Sequence, residues 1–182
     1  MVSVMFTFVV PSINRPTLPA TVQSILDQNI KDWKLIICSD GTDVPKFSDE
    51  RIISIRVSCG NATCAREAAL PLIDTEWVAF VDDDDWITPD YLDHFMKFVE
   101  SSDVIISQMM NYGTAIPEIH AIDHGHVGIS FAIRTEVWRN NKMPPPPSED
   151  YKFLHLLEVN KYRIAFTDYC GYFVRKYLYD NN

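Results

Sequence analysis

The first hundred residues alternate short apolar runs with stretches of helical period, and this alternation constrains the fold more than any other feature of the chain. Met5 to Val10, Trp33 to Cys38, Ile52 to Val57 and Trp77 to Val81 are short runs rich in β-branched and aromatic residues. Strands covered on both faces read this way, and strands covered on both faces are typically parallel. Between the first two runs, Thr17 to Asn29 sets Leu18, Val22, Ile25 and Leu26 at helical spacing. Ala62 to Leu70 reads as a second helix, limited by Pro71. Strand and helix units in series predict an α/β fold with a mostly parallel central sheet flanked by helices and right-handed crossovers.

The second half is more mixed. Thr88-Pro89-Asp90 carries the residues preferred at a helix start, with the hydroxyl of Thr88 as N-cap and a helix running to about Ser101. Val104 to Met109 is a fifth strand, and Asn111 to Gly125 is a long loop without clear period. His126 to Arg134 reads as a strand and Met143 to Ser148 as a proline-stiffened spacer. Glu149 to Asn160 is a helix with Phe153, Leu154, Leu156 and Leu157 inward, and Tyr162 to Phe166 and Tyr169 to Val174 are two closing strands. At 182 residues the chain fits a single domain, about 1–100 forming one half and about 101–182 a smaller mixed half.

A formal net charge of −9 argues against nucleic acid as a partner, since a polyanion is bound by a basic face that releases its counterions. The four cysteines, Cys38, Cys59, Cys64 and Cys170, show no CxxC spacing and are expected to be reduced. The apolar start from Val2 to Val10 has no basic leader and stops at Pro11, so it reads as a strand, with no transmembrane segment and a cytoplasmic location expected.

Chemistry concentrates in Asp82-Asp83-Asp84-Asp85, which follows directly on the run from Trp77 to Val81. Ligands of open α/β sheets lie beyond the carboxyl ends of the strands, where this run is delivered. Two carboxylates about 4 Å apart repel by roughly 4 kcal/mol at an effective dielectric near 20, a cost that a cation relieves. In extended backbone Asp82 and Asp84 share one face and Asp83 and Asp85 the other, and all-oxygen ligation suits Mn or Mg. A solvated acidic turn that only opens the next helix is the competing reading. Ser12 to Pro16 and Asp40-Gly41-Thr42 end the first two strands, so three strand ends are expected to border one crevice.

These segments, in this order, resemble family 2 glycosyltransferases with the GT-A nucleotide-sugar fold. Val9-Val10-Pro11-Ser12-Ile13-Asn14-Arg15-Pro16 is similar to the family's first strand and loop, with Ser12 in place of threonine. Cys38-Ser39-Asp40-Gly41-Thr42-Asp43 resembles the second-strand motif, and Asn61 to Glu67 the Ala-Arg-Asn segment, with Glu67 where asparagine is common. Asp82-x-Asp84 matches the DxD signature, and Ser148-Glu149-Asp150-Tyr151 resembles the Glu-Asp motif.

The resemblance implies a metal-dependent inverting enzyme that transfers a sugar from a nucleoside diphosphate sugar, a UDP-sugar favoured, to a glycan or other hydroxyl acceptor. It implies that Asp84 holds the Mn or Mg, that Asp150 is the catalytic base, and that Pro11, Ser12, Asn14, Arg15, Asp40, Gly41, Arg66, Asp82 and Asp83 bind the nucleotide sugar. The family's final Arg-x-His is here Arg175-Lys176-Tyr177, leaving the third metal ligand unassigned.

Several bland readings stay open beside these. Glu149 and Asp150 also suit a helix start capped by Ser148. His120, His124 and His126 lack a ligand spacing and read first as solvent or acceptor contacts. Trp86 and Trp138 are candidates for stacking on sugar faces but also for the core. The alternatives for the whole chain are a non-catalytic nucleotide-sugar-binding module, or a sugar-phosphate nucleotidyltransferase, for which no glycine-rich phosphate loop with a lysine is seen near the amino terminus.

Overall fold

The computed structural model describes residues 6–43 and 46–175. Strands β1 (Phe6–Ser12), β2 (Trp33–Asp40), β3 (Ile52–Val57) and β4 (Trp77–Phe80) lie parallel in the order β3-β2-β1-β4. Every residue of β1 and β4 is buried, as expected of central strands covered on both faces. β3, at the sheet edge, alternates with exposed positions such as Ile53 and Ser54. The register aligns Ser12 with Ser39 and Val9 with Phe80, so the strands deliver their carboxyl ends to one rim.

Beyond β4 the sheet turns mixed. β8 (Phe131–Arg134) runs antiparallel to β4 and to β6 (Val104–Asn111), β9 (Ile164–Phe173) is parallel to β6, and β5 (Trp86–Ile87) is antiparallel to β9. β7 (Thr114–Ile116) pairs with β6 off this path. Helices α1 (Leu18–Leu26), α2 (Ala62–Glu67), α3 (Tyr91–Met96), α4 (Thr135–Asn140) and α5 (Glu149–Val159) complete the fold, with a 3-10 turn at Leu70–Leu72. Phe80 meets Phe131 at 5.2 Å and Trp138 edge-on at 4.9 Å, tying β4, β8 and α4 into one core. Trp138 is therefore a core residue.

Several elements differ from the sequence-based expectation. The helix after Thr88 begins at Tyr91, because the Thr88 hydroxyl pairs with the phenol of Tyr169 at 2.8 Å instead of capping. The strand expected over His126 to Arg134 is confined to Phe131–Arg134, and the long loop from Asn111 contains β7. The two closing strands are one, β9, with a register irregularity where Ser107 gives way to Gln108 on its partner. Leu156 faces solvent, so α5 buries Phe153, Leu154 and Leu157 only. Ser148 takes left-handed backbone and makes no capping bond; its hydroxyl meets His124 at 3.1 Å. Cys59 and Cys64 are joined by a disulfide, against the expectation of reduced thiols. The turn at Gly60, whose φ is +77, and the start of α2 bring them to a Cα separation of 5.5 Å. Met5, Lys176 and Tyr177 lie outside the described residues.

Candidate active site

The acidic run does not stay extended. Asp85 N–H donates to the Asp82 carbonyl at 3.1 Å, closing a turn directly after β4. α1 fastens one side of this turn, Thr17 Oγ1 donating to the Asp83 carbonyl at 2.9 Å and Thr21 Oγ1 to that of Asp85 at 2.6 Å. The end of β9 fastens the other. The phenol of Tyr172 accepts from Asp82 N–H at 3.1 Å and donates to the Asp85 carboxylate at 2.8 Å. Arg175 reaches the same carboxylate through its N–H at 2.9 Å and the Asp84 carbonyl through Nε at 3.0 Å.

The four carboxylates consequently divide into two pairs with different work. Asp83 and Asp85 are buried, while Asp82 and Asp84 are half-buried and open toward the cavities described below. Burial first, and the charge of Asp82 second, push the Asp85 carboxyl up to about 7. Asp83 organises the loop after β1: it accepts from Ser12 Oγ at 2.8 Å, from Ile13 N–H at 3.1 Å and from Arg15. Asn14 takes left-handed backbone at φ 61, which asparagine tolerates, and its N–H donates to Ser12 Oγ at 2.8 Å. Arg15 Nε also lies 3.8 Å from the Asp84 carboxylate.

At the end of β2 the Asp40 carboxylate accepts from the N–H groups of Cys59 and Gly60, both at 2.7 Å. Asn61 then caps α2 by accepting from Cys64 N–H at 2.9 Å. One turn further, Arg66 is buried with its guanidinium 2.5 Å from Asp82 and 3.7 Å from Glu149. Its Nε and Nη1 have no hydrogen-bond partner among the described residues. A buried guanidinium with only one of its nitrogens hydrogen-bonded keeps capacity for further acceptors.

A cleft of about 650 Å³ opens at this rim. Pro11, Ser12, Arg15, Asp40, Gly41, Arg66, Asp82, Asp83 and Asp84 all line it; Asn14 does not. The end of β3 joins the three expected strand ends through Ser58 and Gly60. A second cavity of about 220 Å³ shares Arg66, Asp82, Asp84 and Glu149 with the first and adds Asp150, Met109, Ile129 and Arg175. Asp84 and Asp150 are thus walls of one space. Desolvation raises the Asp150 carboxyl above its usual range, and the neighbouring Glu149 charge adds to this, although Tyr151 N–H donates to it at 2.9 Å.

Ser58, Gly60, Asn61, Glu149, Tyr172 and Arg175 were given no role from sequence, although Asn61, Glu149 and Arg175 fell within segments that resemble family motifs. His120 pairs with Asp168 at 2.7 Å and His124 with Ser148, and among the described residues no three His, Cys, Asp or Glu side chains converge as a metal site. Trp86 stacks on Phe173 at 4.2 Å, away from the two cavities just described.

The profile of glycosyl transferase family 2 matches residues 7–173. The chain belongs to that family. The resemblance read from the motifs is confirmed, and the strand-end placement of this family 2 chain's acidic run accords with it. Over 105 residues it is 34% identical to UDP-Glc:alpha-D-GlcNAc-diphosphoundecaprenol beta-1,3-glucosyltransferase WfaP of Escherichia coli, a match covering 54% of this chain and 42% of that protein. The chain therefore spans less than half the length of this curated relative. The structure of S. aureus TarS 1-349 in complex with UDP-GlcNAc is similar with a TM-score of 0.78 at 20% identity, covering 94% of this chain and 58% of that one. Glucosyl-3-phosphoglycerate synthase from Mycobacterium tuberculosis, in complex with Mn2+, UDP and phosphoglyceric acid, gives 0.67 at 13% identity, with 96% and 72% covered. At such identities these two likenesses establish the GT-A fold alone. No helix among the described residues is long and apolar enough to cross a membrane.

Proposed function

We propose that the chain is a metal-dependent inverting glycosyltransferase that moves a sugar from a nucleoside diphosphate sugar to a hydroxyl acceptor. The observation that carries this reading is the shared wall of the two cavities: Arg66, Asp82, Asp84 and Glu149 face both, so a ligand in the larger cleft meets Asp150 across the smaller one. In this reading the larger cleft holds the nucleoside diphosphate, with Asp40 and Gly41 at the base and Pro11, Ser12, Arg15, Asp82 and Asp83 along the ribose and phosphates. UDP is favoured because the name of WfaP specifies a UDP-Glc donor, and TarS and the synthase are described with UDP-GlcNAc and UDP. The acceptor class is a glycan hydroxyl, in keeping with the GlcNAc-diphospholipid named for WfaP.

The donor set suits Mn or Mg. Asp84 is a half-buried carboxylate on both cavities with Asp82 beside it, and hard divalent cations take such oxygens. Among the described residues no group of three such side chains converges, so a cation held by Asp84 would need oxygens from the diphosphate and water as well. When bound, the cation offsets negative charge on the leaving diphosphate. The chain's own residues do the rest. The Arg66 guanidinium, held on Asp82 in the wall shared by both cavities, carries positive charge toward the same region, and Arg15 stands beside Asp84. Asp150 takes the acceptor proton as the acceptor oxygen attacks the anomeric carbon; the bond to the diphosphate breaks on the opposite face, inverting the centre. A carboxyl raised by burial is a stronger base than an ordinary one and suits this step.

The test is transfer from UDP-glucose to a GlcNAc-diphospholipid acceptor, with the anomeric configuration of the product determined. Asp150→Asn is expected to lose transfer while keeping UDP affinity, and the product is expected to be inverted. Transfer near the wild-type rate by Asp150→Asn, or a retained configuration, rules the mechanism out.

A further inference from the structure

The disulfide between Cys59 and Cys64 sits in the wall of the cleft, and the residues it encloses are the ones that build that wall. Gly60, Asn61 and Ala62 line the cleft between the two sulfurs. On one side, Cys59 N–H and Gly60 N–H grip the two oxygens of Asp40. On the other, Asn61 holds Cys64 N–H, which begins the single helical turn leading to Arg66. Residues 59–66 thus connect Asp40, at the end of β2, to the buried guanidinium on Asp82, and the S–S bond closes the 59–64 part of that segment on itself. Cys64 is exposed and Cys59 partly so, which puts the bond within reach of a soluble thiol.

We propose that Cys59–Cys64 is a reversible redox site that sets the affinity of the cleft for the donor nucleotide, tight when oxidised and weaker when reduced. The inference rests on the donor-cleft reading above. Reduction requires a dithiol. Its thiolate attacks the exposed Cys64 sulfur, the S–S bond breaks, and Cys59 leaves as a thiolate that takes a proton. The second thiol of the reductant then resolves the mixed disulfide and frees the Cys64 thiol. Two electrons and two protons pass to the protein, and the reductant departs as a disulfide; a disulfide oxidant reverses the sequence. With the bond open, residues 59–64 keep their hydrogen bonds to Asp40 and Asn61 but lose their covalent closure, so nucleotide binding must order a looser wall.

The coupling is reciprocal: whatever factor reduction costs in nucleotide affinity, the nucleotide imposes on reduction. A coupling of about fivefold, the lower end of typical values, corresponds to a potential lower by about 20 mV with nucleotide bound.

The experiment is calorimetric titration of UDP with Mn into the oxidised protein, into the protein reduced by a dithiol, and into the Cys59→Ser/Cys64→Ser protein, with thiols counted by mass after alkylation. Near-ultraviolet circular dichroism of each form verifies that the fold is kept. The expected result is affinity lower by about fivefold or more on reduction, the same low affinity in the double variant regardless of reductant, and a dithiol equilibrium shifted by the same factor when UDP is present. Equal UDP affinity in oxidised and reduced wild-type protein overturns the redox proposal and leaves the donor cleft standing. Absence of UDP binding in both states overturns the donor-cleft reading, and this proposal with it.

Discussion

Arg66→Met separates the work of this side chain in the site from its work in the fold. Methionine occupies a similar volume without the charge, and Arg66 is only 2% exposed, so the cavity left is small. The guanidinium attracts Glu149, 3.7 Å away, with a gross energy of about 4 kcal/mol at an effective dielectric near 20. Burying that charge costs several kcal/mol, so the net contribution of the ion pairs to stability is small. Asp82, left without its partner, keeps a third of its side chain exposed and can be solvated from the cleft. Stability should therefore fall by only about 1–2 kcal/mol, or roughly 2–8 °C in Tm for a domain of this size. Binding is another matter. A guanidinium charge in the cleft wall that offsets a diphosphate contributes about 1.5–3 kcal/mol, so kcat/KM for the donor should fall by at least about tenfold. Thermal melts and steady-state kinetics on one preparation decide the question. A variant that unfolds by more than about 4 kcal/mol while the surviving folded fraction keeps its donor kinetics would show Arg66 to be structural and refute the reasoning.

Tyr172→Phe removes only the hydroxyl that bridges Asp82 N–H and the Asp85 carboxylate, and should cost about 1.5–3 kcal/mol by chemical denaturation together with weakened metal-nucleotide binding; unchanged values would mean that α1 and Arg175 hold the acidic turn unaided. Asp150, raised by burial, should place the acid limb of the kcat profile above the ordinary carboxylate value near 4, activity being lost as pH falls through the raised value; a limb at or below 4 contradicts the base assignment. The same shift has a stability sign: a carboxyl bound more tightly to its proton in the folded state adds stability at low pH that is lost as pH rises through the folded value. Asp150→Asn should accordingly melt a few degrees above wild type at neutral pH, and a lower Tm would be evidence against a desolvated carboxylate there.

Much of this architecture was legible because its central strands are buried on both faces. Runs such as Phe6 to Val10 and Trp77 to Val81 have no other plausible place to go, and their parallel order puts Ser12, Asp40 and Asp82 on one rim. β5 and β7 were illegible for the converse reason: with two and three residues they have no period, and their pairing with β9 and β6 is a tertiary fact. The division of the four aspartates was anticipated from extended alternation, but it arises in a turn. What buries Asp83 and Asp85 is Ser12, Arg15, Tyr172 and Arg175, contributed from up to 90 residues away. The disulfide escaped notice because its spacing is not a familiar one and depends on the Gly60 turn. Arg66 was picked out by resemblance, yet its burial on Asp82 in the wall of both cavities exists only once the chain has folded.

The central claim is that this rim is a nucleoside diphosphate site completed by a cation on Asp84. Calorimetric titration of Mn into the protein with and without UDP tests it most directly, because among the described residues no three side chains converge to hold a cation. The account predicts weak Mn binding to the free protein, binding tighter by at least about tenfold with UDP present, and loss of that gain in Asp84→Ala with the fold intact. Equal Mn affinity with and without UDP, or a coupling undiminished in Asp84→Ala, would contradict it.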